Sequence, residues 1–164
     1  MSDTKSMEAK ATPHNDKIKI RKILVPIDGS EHSIKAAKYA TRIAKVDNAE
    51  LFCIHVITPG IPYGYATPAA STVHQNDEEI KDKINSWFDE LRNIAKNEGI
   101  PDLKTDIFVN VKSVIESILD YATSKEIDLI VIGTKGRTGL KRLLMGSVAS
   151  GIVHHAHCPV LLVK

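Results

Sequence analysis

A glycine-rich stretch with basic residues between its glycines is the part of this sequence best suited to bind an anion. It reads VIGTKGRTGLKRLLMGSVA and spans residues 131–149. Glycine has no Cβ, so backbone N–H groups at these places can approach a ligand closely. The last glycine and its serine then begin a predicted helix, whose first N–H groups are unpaired and partly positive. The stretch therefore predicts an anion site built from Gly133, Gly136, Gly146 and Ser147.

Basic side chains add positive charge to the same stretch. We expect only some of them to face a ligand, because basic residues usually lie on the solvated surface. A plainer interpretation also stays open, in which Gly133 and Gly136 only turn the chain and Ser147 only caps the helix. The basic residues of the stretch are Lys135, Arg137, Lys141 and Arg142.

An acidic residue lies at another strand end that could share this site. The segment PIDGS follows the first predicted strand and contains Asp28 and Ser30. Open parallel sheets bind ligands beyond the carboxyl ends of strands, where the strand order reverses. The first and fourth predicted strands have the polar, glycine-rich ends, so we expect them to be neighbours that flank the crevice. Asp28 is then the acid at that crevice, although with Ser30 it could also cap the following helix.

Several known kinds of phosphate and catalytic site are absent from the sequence. There is no GxxxxGK[ST], which excludes a P-loop NTPase, and no GxGxxG after the first strand, which disfavours a dinucleotide-binding Rossmann domain. The third predicted strand has Asn110 near its end, where a phospho-receiver would need an aspartate. No nucleophile has a base at a recognisable spacing, so no catalytic residue is assigned.

A histidine-rich segment, HHAHC, spans residues 154–158. Histidine is favourable near the negative end of a helix, where this segment is predicted to lie. Consecutive histidines do not share one helix face as the two histidines of HExxH do. We therefore predict a helix end here instead of a metal site, and no metal ligand is assigned.

Strand-like and helix-like segments alternate along the chain and would position these strand ends. Such alternation gives a parallel sheet with helices on both faces. The fourth strand, DLIVIG, is apolar throughout, as expected at the centre of a parallel sheet. Strands are predicted at 18–27, 49–57, 104–111, 128–133 and 158–164, and helices at 31–45, at 76–99, after Ser113 and at 147–156.

Length and composition narrow the class of protein further. The 164 residues suffice for one domain, and 43% hydrophobic with 26% charged residues is ordinary for a globular protein. A net charge of +2 with 5% aromatic residues argues against a nucleic-acid partner. No apolar run approaches the roughly 20 residues of a membrane span, so no membrane partner is expected. Cys53 and Cys158 form no spaced pair, which favours a reduced, cytoplasmic setting.

Two segments give no periodic pattern. Residues 1–17 have no apolar signal core and are predicted to be a disordered tail. Residues 58–75 are rich in proline and glycine, and they are either a mobile surface loop or a segment that covers a ligand.

Three parts of the sequence resemble the ATP-binding branch of the universal stress protein family. The glycine stretch fits the family's G-x2-G-x9-G-[ST] signature without a gap, ending at Ser147. ILVPIDGSEHSIKAAKYA and CPVLLVK are similar to the family's first and last segments. The resemblance extends from about Ile20 to Lys164, and it implies that residues 18–164 form one universal stress protein domain.

The resemblance also implies the fold in detail. It implies an α/β domain with an open, parallel five-stranded sheet of order 3-2-1-4-5 and helices on both faces. This is a Rossmann-like fold of the adenine nucleotide alpha hydrolase-like type. The implied order agrees with the independent expectation that the first and fourth strands are neighbours.

An adenine nucleotide, ATP or AMP, is the ligand that the resemblance implies, with Mg²⁺ accompanying ATP. By position in the family's motifs, the three signature glycines and Ser147 would hold the phosphates and ribose, with Lys135 and Val148 in the same contact region. Asp28 would contact the ribose or an associated metal. The adenine would lie against Pro26, Ile27, Val56 and Ile132.

The resemblance further implies a homodimer formed through the last strand, at Pro159–Val163. The apolar run VLLV fits an edge strand, which invites pairing. The alternative is a monomer whose edge is covered by the tail. The expected function is a stress-response sensor or regulator that acts on an unknown downstream protein. Two alternatives are a slow ATPase or phosphotransferase in which Asp28 holds Mg²⁺, and a structural dimer with an empty crevice.

Overall fold

The computed structural model describes residues 19–58, 77–100, 102–109, 113–137 and 145–164. The predicted tail at 1–17 and nearly all of the segment 58–75 lie outside these residues. Lys141 and Arg142 of the glycine stretch also lie outside them, as does Asn110.

Strands and helices alternate along the described chain, as the sequence pattern predicts. The strands are β1 (Lys22–Pro26), β2 (Glu50–Ile57), β3 (Leu103–Val109), β4 (Leu129–Gly133) and β5 (Val160–Val163). The helices are α1 (Glu31–Asp47), α2 (Asp77–Asn97), α3 (Val114–Ser124) and α4 (Ser147–His155).

The strands form one parallel sheet of order β3-β2-β1-β4-β5, which confirms the expected order. β1 lies beside β4, with Ile23 opposite Leu129 and Leu24 opposite Ile130. The chain leaves β1 towards β2 on one side and returns through α3 to β4 on the other. The strand order therefore reverses between β1 and β4, and a crevice opens beyond their carboxyl ends.

Helices cover both faces of the sheet and divide its core into two clusters. α1 and α2 pack on the face that carries Val25 and Cys53. α3 and α4 pack on the face that carries Leu24 and Ile54. α1 meets the sheet through small side chains, which let its backbone approach closely, namely Ala36, Ala37, Ala40 and Ala44.

The strand ends differ from the predicted ends by a few residues. β1 begins at Lys22, the first residue in register with β2, where it lies opposite Glu50. β5 begins at Val160, after a proline that has no N–H to donate.

Both cysteines are free thiols. Among the described residues, no helix is both long and apolar enough to cross a membrane.

Candidate functional site

A cavity of about 310 Å³ lies beyond the carboxyl ends of β1, β2 and β4. It occupies the crevice that the strand order creates. Every residue that the sequence analysis places in the ligand site lines it. These residues are Pro26, Ile27, Asp28, Val56, Ile132, Gly133, Lys135, Gly136, Gly146, Ser147 and Val148.

The cavity combines an apolar wall with polar loops. The strand ends and the start of α3 supply the wall, and the loops after β1 and β4 supply the charges of Asp28, Lys135 and Arg137. Sequence reasoning missed part of the lining. Alternation along β2 could have found Ile54, because it lies two residues before Val56 and on the same face. The other missed residues are Ser33, His55, Thr58, Val114, Ile118, Thr134 and Ala149.

Asp28 joins the two polar loops. Its Oδ1 accepts the Ser30 N–H at 3.0 Å, and its Oδ2 accepts the Arg137 N–H at 3.0 Å. The cap of α1 is Ser30 alone, since its Oγ accepts the Ser33 N–H at 3.2 Å. Asp28 therefore takes part in the start of α1 only through the N–H of the cap residue Ser30, and its second oxygen fixes the loop after β4.

The start of α4 has no side-chain cap. Gly146 is the N-cap residue, and because it has no side chain it makes no capping hydrogen bond to the first turn. The alternative that Ser147 only caps the helix is wrong, because Ser147 is already the first helical residue. The N–H groups of Ser147 and Val148 therefore have no partner within the helix, and both residues line the cavity.

The backbone around Gly146 is held firmly to the sheet. Its N–H donates to the Thr134 carbonyl at 2.7 Å, and the Thr134 N–H donates to the Val163 carbonyl at 2.8 Å. These bonds connect the start of α4 to the end of β4 and to β5. The first turn of α4 is therefore presented to the cavity by the sheet itself.

Internal packing explains two of the three signature glycines. A Cβ at Gly133 would lie 2.7 Å from the backbone of His32, and a Cβ at Gly136 would lie 2.7 Å from Asp28 Oδ2. A Cβ at Gly146 would meet nothing closer than 3.5 Å, which is an ordinary contact. None of the three has a positive φ, so none is required by a left-handed backbone conformation. The bare backbone at Gly146 is thus the one that internal packing leaves unexplained.

His55 is a buried histidine on the cavity wall. Its Nδ1 lies 2.6 Å from the Ile27 carbonyl oxygen, and its ring meets the edge of Trp87 with centroids 5.5 Å apart. Burial lowers the pKa of His55, and Arg137 lowers it further. The bond to Ile27 and the charge of Asp28 act in the opposite direction. The imidazole is therefore neutral at pH 7.

The histidines near the end of α4 are engaged locally. His154 Nδ1 donates to the Ser150 carbonyl at 2.7 Å, and His157 Nδ1 lies 3.4 Å from Thr123 Oγ1. In the described part of the chain, no three histidine, cysteine or acidic side chains converge as a metal site would require.

Burial raises the pKa of the Cys53 thiol to about 12, so this cysteine is protonated at neutral pH.

Comparison with known proteins gives the chain a family. The model of the universal stress protein family matches residues 19–164. A universal stress protein of Methanocaldococcus jannaschii is 38% identical over 144 residues, which cover 88% of this chain and 82% of that protein. The solved structure of the universal stress protein UspA from Lactobacillus plantarum is 31% identical, covers 89% of this chain and 99% of that one, and has a TM-score of 0.73.

A more distant solved structure shares the fold. A universal stress protein from Archaeoglobus fulgidus in complex with dAMP is 21% identical, with a TM-score of 0.63 over 90% of this chain and 99% of that one. The match along residues 19–164, the sheet order and the relatives at 30% identity and above lead to one conclusion. The chain belongs to the universal stress protein family.

Proposed function

We propose that this protein binds an adenine nucleotide, ATP or AMP, in the cavity beyond β1 and β4, and that it acts as a homodimeric sensor or regulator in a stress response. The uncapped start of α4 is the observation that carries the proposal. It presents free N–H groups to a cavity whose loops also hold Lys135 and Arg137. This combination of helix start and positive charge favours a phosphate.

The remaining surfaces of the cavity suit the other parts of a nucleotide. Ile27, Val56 and Ile132 form an apolar wall that would accept a flat base. Asp28 keeps lone pairs beyond those that accept Ser30 and Arg137, and these would accept a ribose hydroxyl or contact Mg²⁺ accompanying ATP. The Archaeoglobus protein that binds dAMP shares this fold, so the fold is compatible with such a ligand.

Calorimetry with ATP, AMP and GTP tests the proposal directly. We expect binding of ATP and AMP, and weaker binding of GTP. Binding of none of the three at millimolar concentration would overturn it and leave a structural dimer with an empty crevice. Phosphate release from bound ATP over hours, lost in Asp28→Asn, would support the alternative of a slow Mg²⁺-dependent ATPase.

A variant of Gly146 tests the place of the phosphates. In Gly146→Ala the new methyl group lies at ordinary contact distance within the protein, near Gly136 and Lys135, at a position that lines the cavity. We expect nucleotide affinity to fall by about tenfold or more, a loss of about 1.4 kcal/mol, with the fold retained. Val153→Ala, on the exposed side of the same helix, is the matched control and should bind normally. Normal binding by Gly146→Ala would move the phosphates away from α4.

A further inference from the structure

The bond between His55 and Ile27 lies where the backbone ladder of β1 and β2 stops. The last paired residues are Pro26 and Ile54, and the Ile27 N–H then donates to the Ile54 carbonyl at 2.8 Å. In a parallel ladder that continued, the Ile27 carbonyl would next accept the Val56 N–H. No such backbone bond forms between these two described residues. The Ile27 carbonyl oxygen is instead hydrogen-bonded to a side chain, since His55 Nδ1 lies 2.6 Å from it.

Because the Ile27 carbonyl is bonded to His55, the main-chain N–H of Val56 has no bond to Ile27. Ile54 directs its main-chain groups towards β1, and Val56, two residues later, directs its own to the same side. That side lies beyond the end of the ladder, and Val56 lines the cavity there. The main-chain N–H of Val56 is therefore turned to the place where a ligand would lie.

Packing holds the imidazole in the position that this bond requires. His55 is 4% exposed, and Trp87 meets it edge-on at an interplanar angle of 74°. Trp87 is itself fixed against Gly29, where a Cβ would lie 2.2 Å from the indole. Gly29 has a φ of +75°, in the region that favours glycine. The ring is thus locked between α2 and the end of β1.

We propose that His55 is a positioning residue for the ligand of this cavity. With its proton on Nδ1, it holds the Ile27 carbonyl and so leaves the Val56 N–H free to donate to an acceptor atom on the edge of a bound heterocyclic base. A carbonyl oxygen can only accept, which sets the tautomer of the ring. The proposal rests on the proposed nucleotide function and adds the residue that prepares the base end of the site.

Two variants separate the hydrogen bond from the packing of the ring. His55→Asn keeps an N–H donor near the position of Nδ1 but loses the ring. His55→Phe keeps an aromatic ring against Trp87 but has no donor. We expect AMP affinity, measured by calorimetry at pH 7.5, to stay within about threefold of wild type in the asparagine variant and to fall about tenfold or more in the phenylalanine variant. The reverse order would show that only packing matters and would overturn the proposal.

The tautomer of the His55 ring can be measured in the ligand-free protein. In ¹⁵N–¹H correlation spectra of the histidine rings, comparison of wild type with His55→Asn identifies the His55 signals, and we expect a neutral ring protonated on Nδ1. A proton on Nε2 alone would overturn the proposal even if His55→Phe failed to fold.

The outcomes also separate this proposal from the proposed function. A wild-type protein that binds neither ATP nor AMP overturns both. Binding by wild type, together with an Nε2 proton or the reversed order of the variants, overturns only the role of His55.

Discussion

At the scale of single residues, the signature glycines show how one spacing can serve several needs. Gly133 lets β4 reach the backbone of His32, and Gly136 makes room for the carboxylate of Asp28. Only Gly146 has space for a methyl group, yet it stands at the open start of a helix. Internal packing therefore accounts for two of the glycines, and the proposed ligand would account for the third.

A pair of alanine substitutions should separate these roles by stability. In Gly136→Ala the new Cβ would displace Asp28 Oδ2 from the Arg137 N–H, so we expect a loss of about 1–3 kcal/mol in the free energy of unfolding. Gly146→Ala should change it by less than about 1 kcal/mol, because its Cβ meets only ordinary contacts. Urea unfolding of the ligand-free proteins measures both. Equal losses would contradict the packing role of Gly136.

His55 should make the stability of the protein depend on pH. Burial, the largest cause, lowers its pKa in the folded state below the ordinary value of 6.5. The unfolded chain then binds the proton more readily, so stability is lost as the pH falls below about 6.5. We expect the free energy of unfolding to drop more between pH 7.5 and pH 5.5 in wild type than in His55→Asn, which cannot titrate. Parallel pH curves for the two proteins would contradict this.

At the scale of elements, the starts of the helices differ according to what each one faces. Ser30 caps α1 and Ser113 caps α3 with their side chains, while α4 begins at a glycine without such a bond. A helix start normally gains stability from a capping side chain. Its absence at the helix that borders the cavity leaves N–H groups for a ligand.

Removal of two serine hydroxyls tests this difference between helix starts. Ser113→Ala deletes the acceptor of the Glu116 N–H, so we expect it to destabilise the protein by about 1 kcal/mol with unchanged nucleotide affinity. Ser147→Ala should leave the stability of the ligand-free protein nearly unchanged, because Ser147 is exposed and does not cap α4. Its nucleotide affinity should fall. Thermal unfolding and calorimetry on both variants give the four values, and a stability loss in Ser147→Ala would contradict this assignment.

The sequence predicts the elements better than it predicts their ends and caps. Alternating strands and helices, the apolar β4 and the polar ends of β1 and β4 follow from local pattern, and the residues they point to line one cavity. The choice between Ser147 and Gly146 as the cap depends on how Thr134 holds the backbone, which is a tertiary contact. The contact of Asp28 with Arg137 joins residues more than a hundred positions apart, and no local pattern shows it.

At the scale of the whole molecule, β5 leaves one edge of the sheet open in the described chain. Val163 is buried, but Leu161 and Leu162 are only partly covered. The carbonyls of Pro159 and Val163 face β4, where they accept from Ile130 and Thr134. The main-chain groups of Val160 and Leu162 therefore face outwards, and a second copy of the chain pairing along this edge is our proposal for the dimer.

Proline at Leu162 should disrupt that pairing while sparing the contact with β4. The substitution removes an outward-facing N–H, and proline is tolerated on edge strands when its missing donor faces away from the sheet. We expect a dimer for wild type and a monomer for Leu162→Pro by light scattering at micromolar concentration, with circular dichroism confirming the fold. A monomeric wild type would overturn the proposed dimer.

Trp87 can serve as a fluorescent reporter in addition to its packing role. It is the only tryptophan in the chain, and it lies against the ring of His55 and the turn at Gly29. Indole emission responds to nearby charge and polarity, so the intensity and wavelength of its fluorescence report on one wall of the cavity. We therefore expect nucleotide binding to change the fluorescence of Trp87 through its contact with His55, without a label.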